Sequence, residues 1–276
     1  MSQNCAPVVR NLRFQLDASI PRHWYGGQPA TTAFFDSQSL FFPAGERFFV
    51  DAVKSALPRV KDPELLARAR AFCGQEGIHT REHVRYNRML QARGYPAARL
   101  EGWGKRFLWF VRLITLPRHR LAITCALEHF TAIGAARALS AGAFCDADAR
   151  MRAFWRWHAA EELEHKSIPY DVYQAIGGHH LERVIIMFIT TLLFRTYALL
   201  HLSCFLWIDG ALFSRRVYAE LAAALAAMGG TRAFVRDYLT YFRRGFHPSQ
   251  LDDSRALESF HSELLASPIY AAAAVP

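Results

Sequence analysis

Apolar side chains recur every three to four residues over most of this chain, whereas segments that alternate apolar and polar residues are nearly absent. This periodicity predicts helices and argues against a sheet. In the first clear helical stretch, the apolar residues that share one face are Phe48, Phe49, Ala52, Val53 and Leu57. Proline is favoured in the first turn of a helix, so we predict that this helix begins at Pro43.

A second helix begins with strong start signals. Asp62 is suited to the N-cap position, because its side chain can accept a hydrogen bond from a free backbone N–H, and Pro63 suits the first helical position. We predict that this helix ends near Gly94. An aromatic, partly helical stretch then continues to Pro117.

Two more helices follow from the same periodicity. The third is predicted over residues 118–142 and the fourth over residues 146–176, where Gly177 stops it. Pro169 has no backbone N–H to donate, so we expect it to kink the fourth helix.

These elements predict an all-α protein, most simply a ferritin-like four-helix bundle with extra C-terminal helices. Residues 1–38 contain several prolines and a Gly-Gly pair, and they predict an extended arm with little regular structure. We place the four-helix core in residues 39–180. Residues 181–276 are expected to add an apolar helical hairpin and further helices that pack on the core, so that the whole forms one domain.

One C-terminal segment is apolar enough to raise the question of a membrane. Uncharged runs cover residues 184–194 and 196–208, and Arg195 divides them. A spanning helix needs roughly 20 apolar residues, and an arginine inside a bilayer is costly. We therefore predict a buried hairpin or a long core helix here in preference to a membrane span, with peripheral membrane contact through 184–208 as an intermediate alternative.

Composition limits the class of protein. The chain has 276 residues, of which 52% are hydrophobic, so it can bury a sizeable core and is not disordered. Its five cysteines include no CxxC pair, which predicts free thiols in a reducing compartment. With no apolar run near the first residues, we expect a cytoplasmic protein, with membrane association left open. The net charge of +9 is spread along the chain, so we expect no nucleic-acid partner.

The predicted helices share one chemical feature, which is a regular set of carboxylates and imidazoles. In chain order the four helices carry a Glu, a Glu-x-x-His pair, a Glu, and a second Glu-x-x-His pair. The residues are Glu46, Glu76 with His79, Glu128, and Glu162 with His165. Residues three apart share a helical face, so each pair can direct both groups to one point. A dinuclear carboxylate site in a helical bundle requires this arrangement.

Further polar residues refine this predicted metal site. His158 lies one turn before Glu162 and is predicted to be an additional ligand. His83 and Glu161 are instead candidates for hydrogen-bond partners that orient a ligand. His129 points about 100° away from its neighbour in the helix and is not expected to bind.

Four carboxylates buried without cations would be very costly, so a buried site of this composition implies metal. Oxygen and nitrogen ligands without thiolate favour two iron ions, with manganese or a mixed iron–manganese pair as alternatives and zinc as a poorer match.

Several long motifs resemble a known family. "IPRHWYGG", "FPAGERFF", "FCGQEGIHTREHVRYN", "WHAAEELEHKSIPYDVY" and "GFHP" resemble the bacterial family labelled predicted metal-dependent hydrolases. The ligand pattern also resembles ferritin-like di-iron carboxylate proteins, and HxxxExxH is similar to the arylamine N-oxygenases. That second resemblance implies that His158 is an added ligand beside the six shared ones.

The sequence leaves three functions open. Our first expectation is an O2-activating oxygenase or oxidase that acts on a small apolar or aromatic substrate with the help of an electron donor. Aromatic residues that could wall its pocket are Phe48, Phe49, Phe72, Trp155 and Trp157. The alternative is a metal-dependent hydrolase that uses a water activated by two metals. The third is a non-enzymatic iron-storage or membrane-associated protein. A homodimer is also left open.

Overall fold

The computed structural model describes residues 6–139 and 143–275, and these residues form helices without any strand. In chain order the α-helices are α1 (Pro29–Ser39), α2 (Phe42–Ala56), α3 (Pro63–Ala92), α4 (Ala97–Ile114), α5 (Pro117–Ala138), α6 (Ala149–His165), α7 (Ile168–Ala175), α8 (His180–Ile208), α9 (Arg215–Ala227), α10 (Gly230–Thr240), α11 (Ser254–Ala266) and α12 (Pro268–Ala273). The predicted all-α class is confirmed. Its ferritin-like form stays a prediction, as does the division at residues 38 and 180.

Helices α2, α3, α5 and α6 match the four predicted helices and lie at the centre of the molecule. Helix α2 packs against α3 and α5, while α5 also packs against α6. The start signals act as expected, because the side chain of Asp62 accepts a hydrogen bond from the N–H of Glu64 at 2.9 Å. Asp148 does the same for the N–H of Arg150 at 2.9 Å. Residues 140–142, at the predicted end of the third helix, lie outside the described residues.

The predicted fourth helix is two helices. Helix α6 ends at His165, and α7 begins at Ile168, with Pro169 in its first turn. The missing N–H of this proline prevents an uninterrupted helix, so the predicted kink is a complete break. Beyond the break, Tyr173 holds the segment in place, because its hydroxyl donates to the carbonyl of His179 at 2.9 Å.

The N-terminal arm is more ordered than its composition suggests. Helix α1 covers residues 29–38 of the arm, where we predicted little regular structure. Before that helix, the backbone N–H of Phe14 donates to buried Glu82 at 3.0 Å. The N–H of Arg13 donates to the carbonyl of Ala273 at 2.7 Å. These contacts fasten the arm to α3 and to the C-terminal helices.

The apolar segment 184–208 differs from its prediction. It forms part of one continuous helix, α8, and not a hairpin, because Arg195 is tolerated on the exposed side of that helix. Nor is α8 a core helix, since only 17% of its most apolar window is buried. By length and composition, it alone among the described helices is apolar enough to cross a membrane. Many apolar side chains of α4 are exposed as well.

Candidate metal centre

Four helices bring the predicted ligands to one place in the interior. Helix α2 contributes a Glu, α3 a Glu and a His, α5 a Glu, and α6 two His and a Glu. These residues are Glu46, Glu76, His79, Glu128, His158, Glu162 and His165, none more than 3% exposed. The spacing in the sequence therefore led to seven side chains that the structure does bring together.

The ligand atoms face one another across short distances. His79 Nδ1 lies 3.6 Å from Glu162 Oε1 and 3.9 Å from Glu76 Oε2. On the other side, His165 Nε2 lies 3.4 Å from Glu76 Oε1 and 3.7 Å from Glu162 Oε1. His158 Nε2 is 3.2 Å from Glu162 Oε1, and Glu128 Oε2 is 3.5 Å from His165 Nε2. Glu76 and Glu162 thus lie between a half that contains His79 and a half that contains His165.

Each half offers a group of atoms close enough to hold an ion. The groups whose ligand atoms all lie within 4.8 Å of one another are Glu46–Glu76–His79, His79–His158–Glu162 and Glu76–Glu128–His165. A fourth such group contains His83 together with Glu46 and His158. The hydrogen bonds of His83, described below, engage both of its ring nitrogens, so we do not count it among the ligands.

The strongest sign that the cluster fits cations is that its ligand atoms lack partners. Buried polar atoms in proteins nearly always have a hydrogen-bond partner. Here nine atoms have none: Glu46 Oε1, both oxygens of Glu76, both oxygens of Glu128, Glu162 Oε2, His79 Nδ1, His158 Nε2 and His165 Nε2. All seven predicted ligands contribute to this set. A pair of cations would satisfy the carboxylates and imidazoles together.

The outer nitrogen of His79 is held by a carboxylate. His79 Nε2 lies 3.0 Å from Glu161 Oε2. The same carboxylate accepts from Trp157 Nε1 at 2.9 Å and from Arg10 Nη1 at 3.1 Å. Because Glu161 can only accept, His79 carries its proton on Nε2 when neutral, and Nδ1 presents a lone pair to the cluster.

The outer nitrogen of His165 is held by an amide. His165 Nδ1 lies 3.0 Å from Gln75 Oε1. Gln75 in turn donates through Nε2 to the carbonyl of Val8 and to Glu164 Oε2, each at 3.0 Å. These acceptors fix the amide orientation, so its oxygen faces His165 and receives the Nδ1 proton. His165 Nε2 is then free to bind a metal.

A longer chain of hydrogen bonds orients His158. Asn87 Nδ2 donates to the carbonyl of Ser39 at 3.0 Å and to Glu101 Oε1 at 2.6 Å. These two bonds fix the amide orientation, so Asn87 Oδ1 accepts from the Ser39 hydroxyl at 2.7 Å. Ser39 Oγ must then accept from His83 Nδ1, 2.8 Å away. His83 Nε2 is left as the acceptor for His158 Nδ1 at 3.0 Å. His158 Nε2 therefore also presents a lone pair to the cluster.

Burial perturbs the acids of the metal-free cluster. It raises the pKa of Glu46 to about 8, against the opposing influence of His79 and Thr80. Burial and the neighbouring carboxylates raise the pKa of Glu76 and of Glu128 well above the usual range. Burial would raise the pKa of Glu162 too, but the three imidazoles around it hold that pKa well below the usual range. Without metal, the cluster therefore retains protons at neutral pH.

The pKa values of the imidazoles also shift in opposite directions. Burial opposes a charge on His79, yet Glu161 and Glu162 raise its pKa to about 10. Burial, followed by the charge of His79, lowers the pKa of His158 to about 4. Burial and the neighbouring imidazoles also lower the pKa of His83 well below the usual range. His158 and His83 are thus neutral, as the hydrogen-bond chain between them requires.

Aromatic rings surround the imidazoles. The ring of Phe42 stacks on His83, with centroids 4.5 Å apart, and contacts His158 at the same distance. Phe72 packs edge-on to His165 at 4.8 Å. The five aromatic residues predicted to wall a pocket are part of the packed interior. None of them lines the cavity of about 860 Å³ that lies between α4, α5 and α8.

Some polar residues have roles that the sequence did not reveal. His129 is not part of the cluster, as expected, and lies 3.2 Å from the carbonyl of Asp237. Arg10 and Ser39 lie far in sequence from Glu161 and His83, the residues they contact, so spacing gave no signal for them. Asn87 follows His83 by one helical turn, and this spacing could have marked it. Gln75 directly precedes Glu76, but a neighbouring residue in a helix points about 100° away, and no local pattern marks it as a partner of His165. The thiols of the four described cysteines are free; Cys5 lies outside the described residues.

Comparison with known proteins gave one match. A family model with the description "Predicted metal-dependent hydrolase" matches residues 8–252, which include all seven clustered residues and their partners. No curated protein and no solved structure matches the chain.

Proposed function

The chain belongs to the family of predicted metal-dependent hydrolases, and from this premise we propose that its buried Glu and His cluster binds two metal ions and catalyses hydrolysis. The observation that carries this proposal is the set of nine buried ligand atoms that have no hydrogen-bond partner. We now prefer a hydrolase to an oxygenase, whereas the ligand pattern in the sequence had led us to expect an oxygenase first. The family description supports the hydrolase, and it gives no support to oxidation chemistry.

The ligands divide between two ions. Glu46, His79 and His158 would hold one of them, and Glu128 and His165 the other. Glu76 and Glu162 would be shared, since each lies close to imidazoles of both halves. Oxygen and nitrogen donors without thiolate suit iron or manganese better than a structural zinc site.

Bound ions would supply a hydroxide at neutral pH, by lowering the pKa of a water, and would polarise the substrate's ester, amide or phosphate group. The protein's own contribution is orientation. Glu161, Gln75 and His83 each hold the outer nitrogen of one imidazole, so that the inner nitrogens need no rearrangement to bind. The surrounding rings exclude bulk water, which strengthens every charge interaction inside the cluster.

One observation favours a second function, an O2-activating oxidase or oxygenase. The seven residues come from four helices in the order of a dinuclear carboxylate site, and a Glu–His set inside an aromatic shell suits iron redox chemistry. An apolar or aromatic substrate and an electron donor would then be needed. The same residues would bind the ions in both cases.

Metal content and two activity assays separate these functions. The protein is expressed with iron, manganese or zinc, and bound metal is measured per chain. Hydrolysis of ester, amide and phosphate substrates is then compared with O2 consumption after anaerobic reduction. Two ions per chain with metal-restored hydrolysis would support the main proposal, whereas substrate-dependent O2 consumption without hydrolysis would support the second.

A variant pair tests the assignment of the shared ligands. Glu76→Gln with Glu162→Gln should abolish binding of both ions, because each half loses a carboxylate. Glu263→Gln serves as a control, since Glu263 pairs with Arg156 of α6 at 2.8 Å and does not contact the cluster. A wild-type protein that binds no metal under any of these conditions would refute both metal-dependent functions.

A further inference from the structure

Helices α4 and α8 expose an apolar surface that the described residues do not cover. Six of its side chains, each more than half exposed, are Phe110, Leu113, Phe188, Leu192, Leu199 and Leu200. We call this surface the α4–α8 face. Large exposed apolar surface on neighbouring helices marks a site of contact with a partner or a membrane.

The two helices belong to one side of the molecule. They approach closely at Gly104, where an added Cβ would lie 2.8 Å from the hydroxyl oxygen of Tyr197. Gly104 and Tyr197 also line the cavity of about 860 Å³, which extends from this contact between the two helices to Val111 of α4 and Ile185 of α8. This cavity therefore lies between the two helices that form the face.

We propose that the α4–α8 face docks the protein on an anionic phospholipid bilayer, with α8 lying in the plane of the membrane surface. The attachment of α8 excludes a spanning orientation. Its buried residues, from Arg183 and Met187 to His201 and Phe205, face the rest of the protein along almost its whole length. A spanning helix would have to leave the protein over about 30 Å of hydrocarbon.

The distribution of tryptophan agrees with a membrane surface. Of the six tryptophans in the sequence, Trp103, Trp109 and Trp207 are on these two helices and about half or more exposed. Tryptophan is enriched at membrane–water interfaces, where its ring is partly buried among lipid headgroups. By contrast, Trp24 and Trp157 are fully buried in the interior.

The charges favour anionic lipid over a second copy of the chain. Arg106 and Arg195 are exposed on the two helices. The two acidic residues of these helices are partly buried and already paired, Glu101 with Lys105 at 3.1 Å and Glu182 with Arg118 at 2.6 Å. In a face-to-face dimer the basic side chains would repel their copies, whereas anionic headgroups attract them.

Docking has a consequence for the substrate, which rests on the proposed function. Once the face contacts a bilayer, the cavity between α4 and α8 adjoins the lipid acyl chains. Ala44 and Leu127, which also line the cavity, are on the helices that carry Glu46 and Glu128. The substrate class is then an ester or amide of a long apolar chain dissolved in the bilayer.

Vesicle flotation of the full chain tests the docking. Vesicles of phosphatidylcholine, with or without phosphatidylglycerol, are mixed with the protein, and the bound fraction is measured. We expect binding that requires the anionic lipid and weakens with salt. Phe188→Glu with Leu192→Glu should reduce it at least about tenfold. Leu265→Glu, which changes an even more exposed leucine outside the face, should leave binding unchanged.

A second readout depends on tryptophan fluorescence. Lipids brominated in their acyl chains should quench the three exposed tryptophans and leave the buried ones bright. Equal binding of the Phe188/Leu192 variant and the Leu265 variant, or no binding to any vesicle, would overturn the proposal. So would a stable dimer in solution that the Phe188/Leu192 substitutions dissociate. Metal content, which these surface changes should not alter, reports separately on the proposed function.

Discussion

Replacement of Glu161 by Gln tests how the centre holds His79. Glu161 is fully buried and accepts hydrogen bonds from His79, Trp157 and Arg10 at 2.9–3.1 Å. An amide has one oxygen, so it cannot serve all three donors. If its NH2 group faces His79, two donors oppose each other, and the imidazole is driven to carry its proton on Nδ1. That nitrogen is the one that faces the cluster.

We expect a loss of about 10- to 100-fold in affinity for one of the two ions, since loss of a ligand's hydrogen-bond partner typically has this effect. The loss corresponds to about 1.4–2.7 kcal/mol. The half around His165 keeps its partner Gln75, so the second ion should bind with little change. Glu161→Gln should therefore show two unequal binding steps.

Titration of the metal-free protein with iron or manganese, followed by calorimetry, measures both steps. Glu263→Gln is the matched control, because it also removes a carboxylate that pairs with an arginine, Arg156 of α6, but that does not contact the cluster. If Glu161→Gln binds both ions like the wild type, Glu161 does not position His79. If it loses both ions equally, the division of the ligands into two halves is wrong.

Three further predictions concern pH, ligation and packing. In metal-free protein, the pKa of Glu46 is about 8 in the folded state, against an ordinary value of 4.5. Protonated Glu46 therefore contributes to the free energy of unfolding in full below pH 4.5, and this contribution, on the order of 5 kcal/mol, is lost as the pH rises to about 8. Denaturation at several pH values with a chelator should show this decline, and metal should reverse it with release of protons. His158→Ala should lower metal affinity at least about tenfold in a binding titration, and unchanged affinity would exclude it as a ligand. Gly178→Ala should destabilise the fold by about 1–3 kcal/mol in thermal denaturation, because the added Cβ would lie 2.2 Å from the buried ring of Tyr173; Gly77→Ala meets nothing within 4 Å and should stabilise α3 by about 0.5–1 kcal/mol.

The ligands could be predicted from the sequence because helical spacing is local information. Glu76 and His79 are three residues apart, and Glu162 and His165 repeat the pattern, so each pair shares a face whatever the rest of the chain does. Caps such as Asp62 are equally local. Four such signals in the right order were enough to indicate one buried cluster.

Helical spacing pointed to Glu161 and His83 as partners of the ligands, but the residues that hold these two partners could not be predicted, because they lie in distant segments. Arg10 reaches Glu161 from the N-terminal arm, and Ser39 reaches His83 from the end of α1. Hydropathy likewise shows that α8 is apolar but not which neighbour covers it. The predicted hairpin assumed that apolar residues are buried within the protein, and most of the apolar surface of α8 is exposed instead.

The N-terminal arm that carries Arg10 is hydrogen-bonded to the C-terminal residues that the structure describes. Asn11 accepts from the N–H of Val275 at 2.9 Å, and Arg13 donates to Ala273. During synthesis, the four central helices leave the ribosome long before residues 273–275 are made. The contacts of the arm with residues 273–275 can therefore form only after its contacts with α3, such as the hydrogen bond from the N–H of Phe14 to Glu82, have become possible. Removal of residues 273–275 should therefore loosen the arm and weaken the contact of Arg10 with Glu161.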